Sequence, residues 1–410
     1  MAFISPITPI HPSSPISLSS PISPSTPISP IIKRNTKNIS MEYSAKKPFR
    51  WLCCMLLAAA AFTSCGMMED ELKDCPYGLY VSFKYDYNLQ RADMFNDHVG
   101  SVTLYIFDEQ GKLVKTQEES NVGAVAPLKD AGYAMHITDL APGRYQFIAL
   151  AGQRPYADML ADSRARFVRN DLAAGDDMTA VGVQLDRVQT GSNMYDIVNN
   201  ALPLDTLWHG MLTEPVQVYS REANRAAYAT VPLVRDTKRI TVSLREISDP
   251  REMDIADYEM TITDKNSTLL WDNSVDETTG TVVYRPYATW NTDDLTPPTD
   301  QNGNVLEGVG HTGHAEFMTS RLISHDDPGD DGVLAIRNKN SNTENITVNL
   351  PDILSRLANY DEMRNYSKQE FLDRGYDYDL EFFLLNGKLQ YINVSISVLG
   401  WTKRVQFEEL

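Results

Sequence analysis

The feature that most constrains this chain is a repeated alternation of apolar and polar residues. In LYVSFKYDYN (79–88), Leu79, Val81, Phe83, Tyr85 and Tyr87 fall on one face and Tyr80, Ser82, Lys84 and Asp86 on the other. A period of two is the signature of a half-buried β-strand. VTLYIFDEQGKLV (102–114) repeats the pattern and reverses through Asp108 to Gly111, where glycine accepts the positive φ that a hairpin demands. LAPGRYQFIAL (140–150) is a Pro-Gly turn feeding a strand through Tyr145, Phe147 and Ala149. Further along, RITVSLRE (239–246) alternates Ile240, Val242 and Leu244 with polar residues, and YEMTITDKNSTLLW (258–271) reads as a second hairpin echoing 102–114. YDYDLEFFLLNGKLQYINVSISV (376–398) is a third, closed by Asn386-Gly387, the dipeptide that a type I′ turn prefers, and both its strands are apolar enough to be central. These segments predict an all-β fold of antiparallel β-sandwiches.

Helical signals are few. PYADMLADSRARF (155–167) reads as amphipathic pieces laid over a sheet, within a stretch from 153 to 228 where strand patterning weakens. Pro351 suits a first helical turn, and SKQE (367–370) has capping-box spacing for a helix that stops at Gly375. Two similar sandwiches in tandem, residues 76–234 and 235–410, with a boundary near 233–237, is the simplest arrangement.

Ahead of the strands, the apolar run from Trp51 to Phe62 is too short to span a bilayer, which takes about 20 residues. Lys46, Lys47 and Arg50 precede it and the small residues Thr63 and Ser64 follow, the order of a secretory signal. The apolar and small residues before Cys65 resemble a bacterial lipobox, in which the cysteine takes a diacylglyceryl group and becomes the first mature residue. Residues 41–64 are thus expected to be a lipoprotein signal peptide. Residues 1–40, a Ser/Pro/Ile tract ahead of Met41, are expected to be a mis-called N-terminal extension. Residues 65–75 form an acidic tether in which Glu69, Asp70 and Glu71 resemble the surface-export signal of Bacteroidetes lipoproteins.

Removing residues 1–64 discards six basic residues and one acidic one, which moves the net charge from −18 to about −23. Such a surface repels phosphate backbones and argues against nucleic acid as a partner. With Cys65 lipidated, only Cys75 remains, so no intramolecular disulfide forms and stability rests on an apolar core. No cofactor is expected besides the covalent lipid.

Catalytic signals are weak. In HTGHAE (311–316) the spacing of His311 and His314 does not set both rings on one helix face as HExxH does, and a Gly-rich turn with solvated histidines is expected. SHDDPGDDG (324–332) fails the EF-hand template at the third and twelfth positions, Gly329 and Asn338, and reads as a polar turn. Asp205-Thr206-Leu207 has the form of a Bacteroidetes O-glycosylation signal but is taken as an ordinary loop. There is no GxSxG elbow, Walker loop or dinucleotide fingerprint. The chain is therefore expected not to be an enzyme.

The lipobox, the acidic tether with Asp74-Cys75-Pro76, KYDYN, VTLYIFDEQGKLV, LAPGRYQFIALAG, LWHG (207–210), VPLVRDTKRITVSL (231–244) and SISVLGW (395–401) occur in one order. Together they resemble the FimB/Mfa2 fimbrial anchor lipoproteins of Bacteroidales; the Ser/Pro-rich leader is the departure. The resemblance implies two tandem transthyretin-like, Greek-key β-sandwich domains. It also implies an outer-membrane, surface-exposed lipoprotein that attaches a fimbria to the cell, limits its length and joins the stalk subunit by β-strand pairing. A fimbrial tip adhesin and a surface glycan-binding lipoprotein with clustered exposed aromatics are the alternatives.

Overall fold

The computed structural model describes residues 76–341, 344–359, 366–398 and 401–407. The chain divides into two units, 1–72 and 73–410, and the described residues belong to the second. Cys65, the acids Glu69, Asp70 and Glu71, Cys75, the leader and the signal segment all lie outside the described residues.

Alternation translates directly into strands. The first part of the chain forms β1 (Leu79–Lys84), α1 (Phe95–His98), β2 (Ser101–Phe107), β3 (Leu113–Ser120), β4 (Met135–Ile137) and β5 (Gly143–Gly152). After these come α2 (Tyr156–Ala161), β6 (Phe167–Arg169), β7 (Gly182–Leu185), β8 (Val188–Gly191), β9 (Met194–Asp196), β10 (Leu207–Val218) and β11 (Ala227–Arg235). The remainder forms β12 (Lys238–Glu246), β13 (Tyr258–Asp264), β14 (Thr268–Leu270), β15 (Thr281–Tyr284), β16 (Ala288–Asp293), β17 (His311–Thr319), β18 (Val333–Asn338) and β19 (Ile346–Asn349). It closes with α3 (Leu350–Ser355), α4 (Lys368–Arg374), β20 (Asp377–Leu385), β21 (Lys388–Val398) and β22 (Trp401–Phe407). The fold is all-β with a few short helices.

The strands assemble into a seven-stranded sheet, β3-β2-β5-β10-β11-β1-β4, two six-stranded sheets, β16-β17-β12-β20-β21-β22 and β19-β18-β13-β15-β9-β8, and a three-stranded sheet, β14-β7-β6. The seven-stranded sheet folds over on itself between β10 and β11, which pair only from Trp208 to Gly210 against Leu233 to Arg235. Gly210 sits at that corner because any Cβ there would come within 2.6 Å of the Leu233 side chain and the Pro232 carbonyl. The two arms then face each other. Leu79, Val81, Ala229 and Val231 from one arm and Leu104, Phe147, Ala149 and Trp208 from the other share one buried apolar cluster.

A second cluster starts on the opposite face of β2 and β5, at Tyr105, Phe107, Ile148 and Leu150. It continues through Phe167, Val183 and Leu269 of the three-stranded sheet, then Ile240, Val242, Phe317, Leu334 and Leu380 of the six-stranded sheets. Apolar side chains on both faces of β5 explain why it is central.

Hairpins β2–β3 and β20–β21 form as expected, with Gly111 at φ 73°, and Asn386 and Gly387 at φ 52° and 74°. The expected hairpin at 258–271 does not form. β13 pairs with β15 and β18, whereas β14 leaves to pair with β7. The intervening polar residues explain this. Asn266 and Ser267 are buried, and Asn266 donates to the Arg321 carbonyl and accepts from the Tyr284 hydroxyl, so they are internal ties and not a solvent turn.

The stretch from 153 to 228 holds one short α-helix, α2, and two single 3-10 turns at Met178–Ala180 and Arg221–Ala223, and supplies β6 to β10. β7 joins β14, and β9 joins β15 in parallel, across the point where the chain leaves β11 for β12. Among the described residues, Pro351 falls in the first turn of α3 and the SKQE segment starts α4. Ser367 caps α4 by accepting from the Glu370 amide, but the Glu370 carboxylate pairs with Arg374 at 2.9 Å instead of reaching back to complete the box. Gly375 follows α4 in an extended conformation, and glycine is needed there because a Cβ would lie 2.0 Å from the Tyr378 hydroxyl.

Candidate partner-binding surfaces

The residues singled out for chemistry fall into structural roles. HTGHAE is not a turn but the start of β17. The His314 ring bridges the hydroxyls of Ser243 at 2.9 Å and Thr292 at 2.8 Å and stacks on Trp290, and burial lowers its pKa. His311, three residues before it in the strand, pairs with Asp293 at 3.0 Å. Between Pro328 and Asp330 the chain makes a single 3-10 turn capped by Asp327. His325 is held between Asp331 at 3.0 Å and Glu277 at 2.7 Å; burial opposes its charge, but these hydrogen bonds outweigh it and raise its pKa. No group of three or more His, Cys, Asp or Glu is arranged to hold a metal ion among the described residues. Asp205, Thr206 and Leu207 are buried, and Asp205 takes a bidentate bond from Arg154. Asp205 and Thr206 stand in the loop that leads into β10, as expected, but that loop is buried.

Two features emerge that sequence reasoning missed. One is the joint between β11 and β12. Lys238 is fully buried, and its ammonium donates to the carbonyls of Arg235 at 3.2 Å, Asp373 at 3.1 Å and Gly375 at 2.8 Å. Three acceptors match the three N–H bonds of the charged form, while burial pulls the pKa below the ordinary lysine range. Asp236, also fully buried and pushed above the usual carboxylate range by the same cause, accepts from Asn273 at 2.9 Å. Arg321 forms a bidentate pair with Asp373 and also donates to the Asn273 carbonyl. The sequence signal was present: RDTK (235–238) sets charges between two alternating apolar strands, where a simple turn would be exposed.

The other is the outward face of the β4–β1–β11 layer. Residues on the polar side of LYVSFK meet their neighbours in register, Tyr80 opposite both Tyr228 and His136. The Tyr80 ring stacks on His136 at 4.1 Å and on Tyr228 at 5.4 Å. The next register row is Ser82 and Thr230, with hydroxyls 2.8 Å apart. Tyr80, Ser82, Gly132, Ala134, Tyr228 and Thr230 surround a shallow basin of about 450 Å³. An aromatic on the polar side of a strand was the only sequence clue, since register alone brings the three rings together.

The sheets also present open edges. Among the described residues, β16 pairs only with β17 and β22 only with β21, and from Thr289 to Asp293 the side chains of β16 are exposed. Such strands carry main-chain groups that another chain can pair with. No helix among the described residues is long and apolar enough to cross a membrane.

The sequence matches a family model described as fimbrillin-A associated anchor proteins Mfa1 and Mfa2 over residues 72–407. Among solved structures, it is similar to a candidate adhesin from Bacteroides thetaiotaomicron, at 28% identity and a TM-score of 0.62, covering 82% of this chain and 99% of that one. A candidate polysaccharide-binding protein from the same organism is 28% identical with a TM-score of 0.60, over 81% and 99% of the two chains. The fimbrial anchor protein Mfa2 from Porphyromonas gingivalis shares the fold at 18% identity and a TM-score of 0.50, over 80% and 99%. No curated protein matches the sequence significantly.

Proposed function

The chain belongs to the family of fimbrillin-A associated anchor proteins, and on that premise we propose that it is the lipid-anchored outer-membrane subunit that holds a fimbria to the cell surface and limits its length. Cys65 carries the lipid, Glu69, Asp70 and Glu71 direct surface display, and a stalk subunit joins by β-strand pairing.

The observation that carries this reading is how the chain is seated just after the tether. β1 lies between two strands, in parallel register with β11 over six pairs from Leu79–Ala227 to Lys84–Pro232 and antiparallel to β4 over three. A pull on the tether acts along β1 and loads these pairs together in shear, so the force is shared instead of opening them one at a time. Leu79 and Val81 are fully buried beneath the same strand and resist its sliding. At the other end of the load path, an open edge such as β16 suits strand addition, which needs main-chain groups and no catalytic residue.

Electron microscopy of a strain carrying only Cys65→Ala, with the culture medium examined alongside, tests the reading. Long fimbriae shed into the medium, with the variant absent from the membrane fraction, are expected. Fimbriae still attached at normal length would overturn it. That outcome would favour the second reading, a tip adhesin, to which the adhesin description of the 28%-identical structure lends weight.

A further inference from the structure

We propose that the outward face of the β4–β1–β11 layer binds a neutral glycan, holding one pyranose ring against Tyr228 with the sugar hydroxyls on Ser82 and Thr230.

The geometry is that of a platform with one face left free. Tyr80 covers one face of the Tyr228 ring at 5.4 Å. Beyond β11 on the other side, pairing with β10 covers only Leu233 to Arg235, so among the described residues no strand lies beside Tyr228, which is 67% exposed. The row His136–Tyr80–Tyr228 fixes the ring angle through its stacked neighbours, and a pre-set aromatic loses little freedom on binding. An aromatic face carries partial negative charge and attracts the C–H bonds on the flat side of a sugar ring.

The floor completes the fit. Ser82 donates to the Ala229 carbonyl at 3.3 Å and accepts from Thr230 at 2.8 Å, so both hydroxyl protons are engaged and the pair keeps acceptor positions for ligand hydroxyls, which donate to them. Gly132 and Ala134 keep the far wall low. A basin of about 450 Å³ is within the size range of small-ligand sites.

Charge selects the class of ligand. The chain carries a net charge of −18, yet none of the residues lining the basin is charged. A phosphate or uronate would need a cation in the basin and a basic peptide a carboxylate, whereas a polyhydroxylated neutral ring needs the aromatic face and hydroxyls that are present. This site is independent of the anchoring role, because its readout is binding and not fimbrial attachment.

The test is native electrophoresis of the full chain in gels containing glycogen, yeast α-mannan or galactomannan, with polygalacturonate as an anionic control. Retardation in at least one neutral gel is expected, at least tenfold weaker for Tyr228→Ala, retained by Tyr228→Phe and reduced by Thr230→Val. Tyr228 is exposed, so an unchanged melting temperature in each variant is expected to accompany these shifts. No retardation in any neutral gel, retardation only by polygalacturonate, or retardation that Tyr228→Ala leaves intact would each overturn the proposal.

Discussion

His209 is buried in β10 close to the fold-over corner, its Nε2 2.9 Å from the carbonyl of Trp271. Burial pushes its pKa down to about 4, against a weaker upward pull from that hydrogen bond. The folded state therefore favours the neutral ring. Its stabilisation is complete above the ordinary value of 6.5 and is lost as pH falls from there toward 4. A gap of this size corresponds to at most about 3 kcal/mol. Urea titrations at pH 7 and pH 4.5 should show a smaller acid loss in His209→Gln, which retains a donor for Trp271, than in the parent; equal losses would mean that the buried ring is not the proton acceptor. Burial of this kind was not legible. LWHG shows a histidine in a strand, but only the corner between β10 and β11 determines that both its faces are covered.

At the level of elements, the hairpins that formed as read are those whose turns are built from backbone preference. Asn386-Gly387 adopts positive φ at both positions, as its composition dictates. Yet that turn is also held from outside. The Glu246 carboxylate, buried at the end of β12, accepts from the amides of Asn386 at 2.9 Å and Gly387 at 3.0 Å. Two successive amides aimed at one carboxylate form an anion-holding nest. Glu246→Ala should cost about 1–3 kcal/mol, since it strands partly buried donors. Amide exchange at Asn386 and Gly387 should accelerate well ahead of the flanking strands, and uniform exchange along β20 and β21 would refute the clamp. The 258–271 segment was misread as a hairpin because Asn266 and Ser267 resemble turn residues in composition, while their partners, Arg321, Tyr284 and Arg187, stand 18 to 80 positions away.

For the molecule as a whole, the consequence lies in continuity of the core. The cluster that begins at Tyr105 and Ile148 runs unbroken to Leu334 and Leu380, and at the chain crossing Lys238 ties to the α4–β20 connection while Asp236 ties to Asn273. Residues 76–407 should therefore unfold together. Urea unfolding followed by tryptophan fluorescence and by far-ultraviolet circular dichroism is expected to give one coincident transition, and Lys238→Met should shift it by about 3–5 kcal/mol, because three carbonyls and Asp236 lose a buried cation. Two separated transitions, with the variant affecting only one, would mean that the halves are energetically independent.

The alternation of side chains along the chain determined by itself that this protein is all-β, and where β1, β2, β5, β12, β20 and β21 run and which of their faces are buried, because a strand's inside and outside are set by a period of two that needs no distant partner; β10 and β17 were not legible in this way. Membership of one family was legible for the same reason, as an ordered set of such segments. Which strands are neighbours, that β1 lies between β11 and β4, that Tyr80 meets Tyr228 and His136, and that a lysine can be wholly buried were decided only in three dimensions. Each depends on register between segments up to about 150 residues apart, and alternation carries no information about which strand comes next to which.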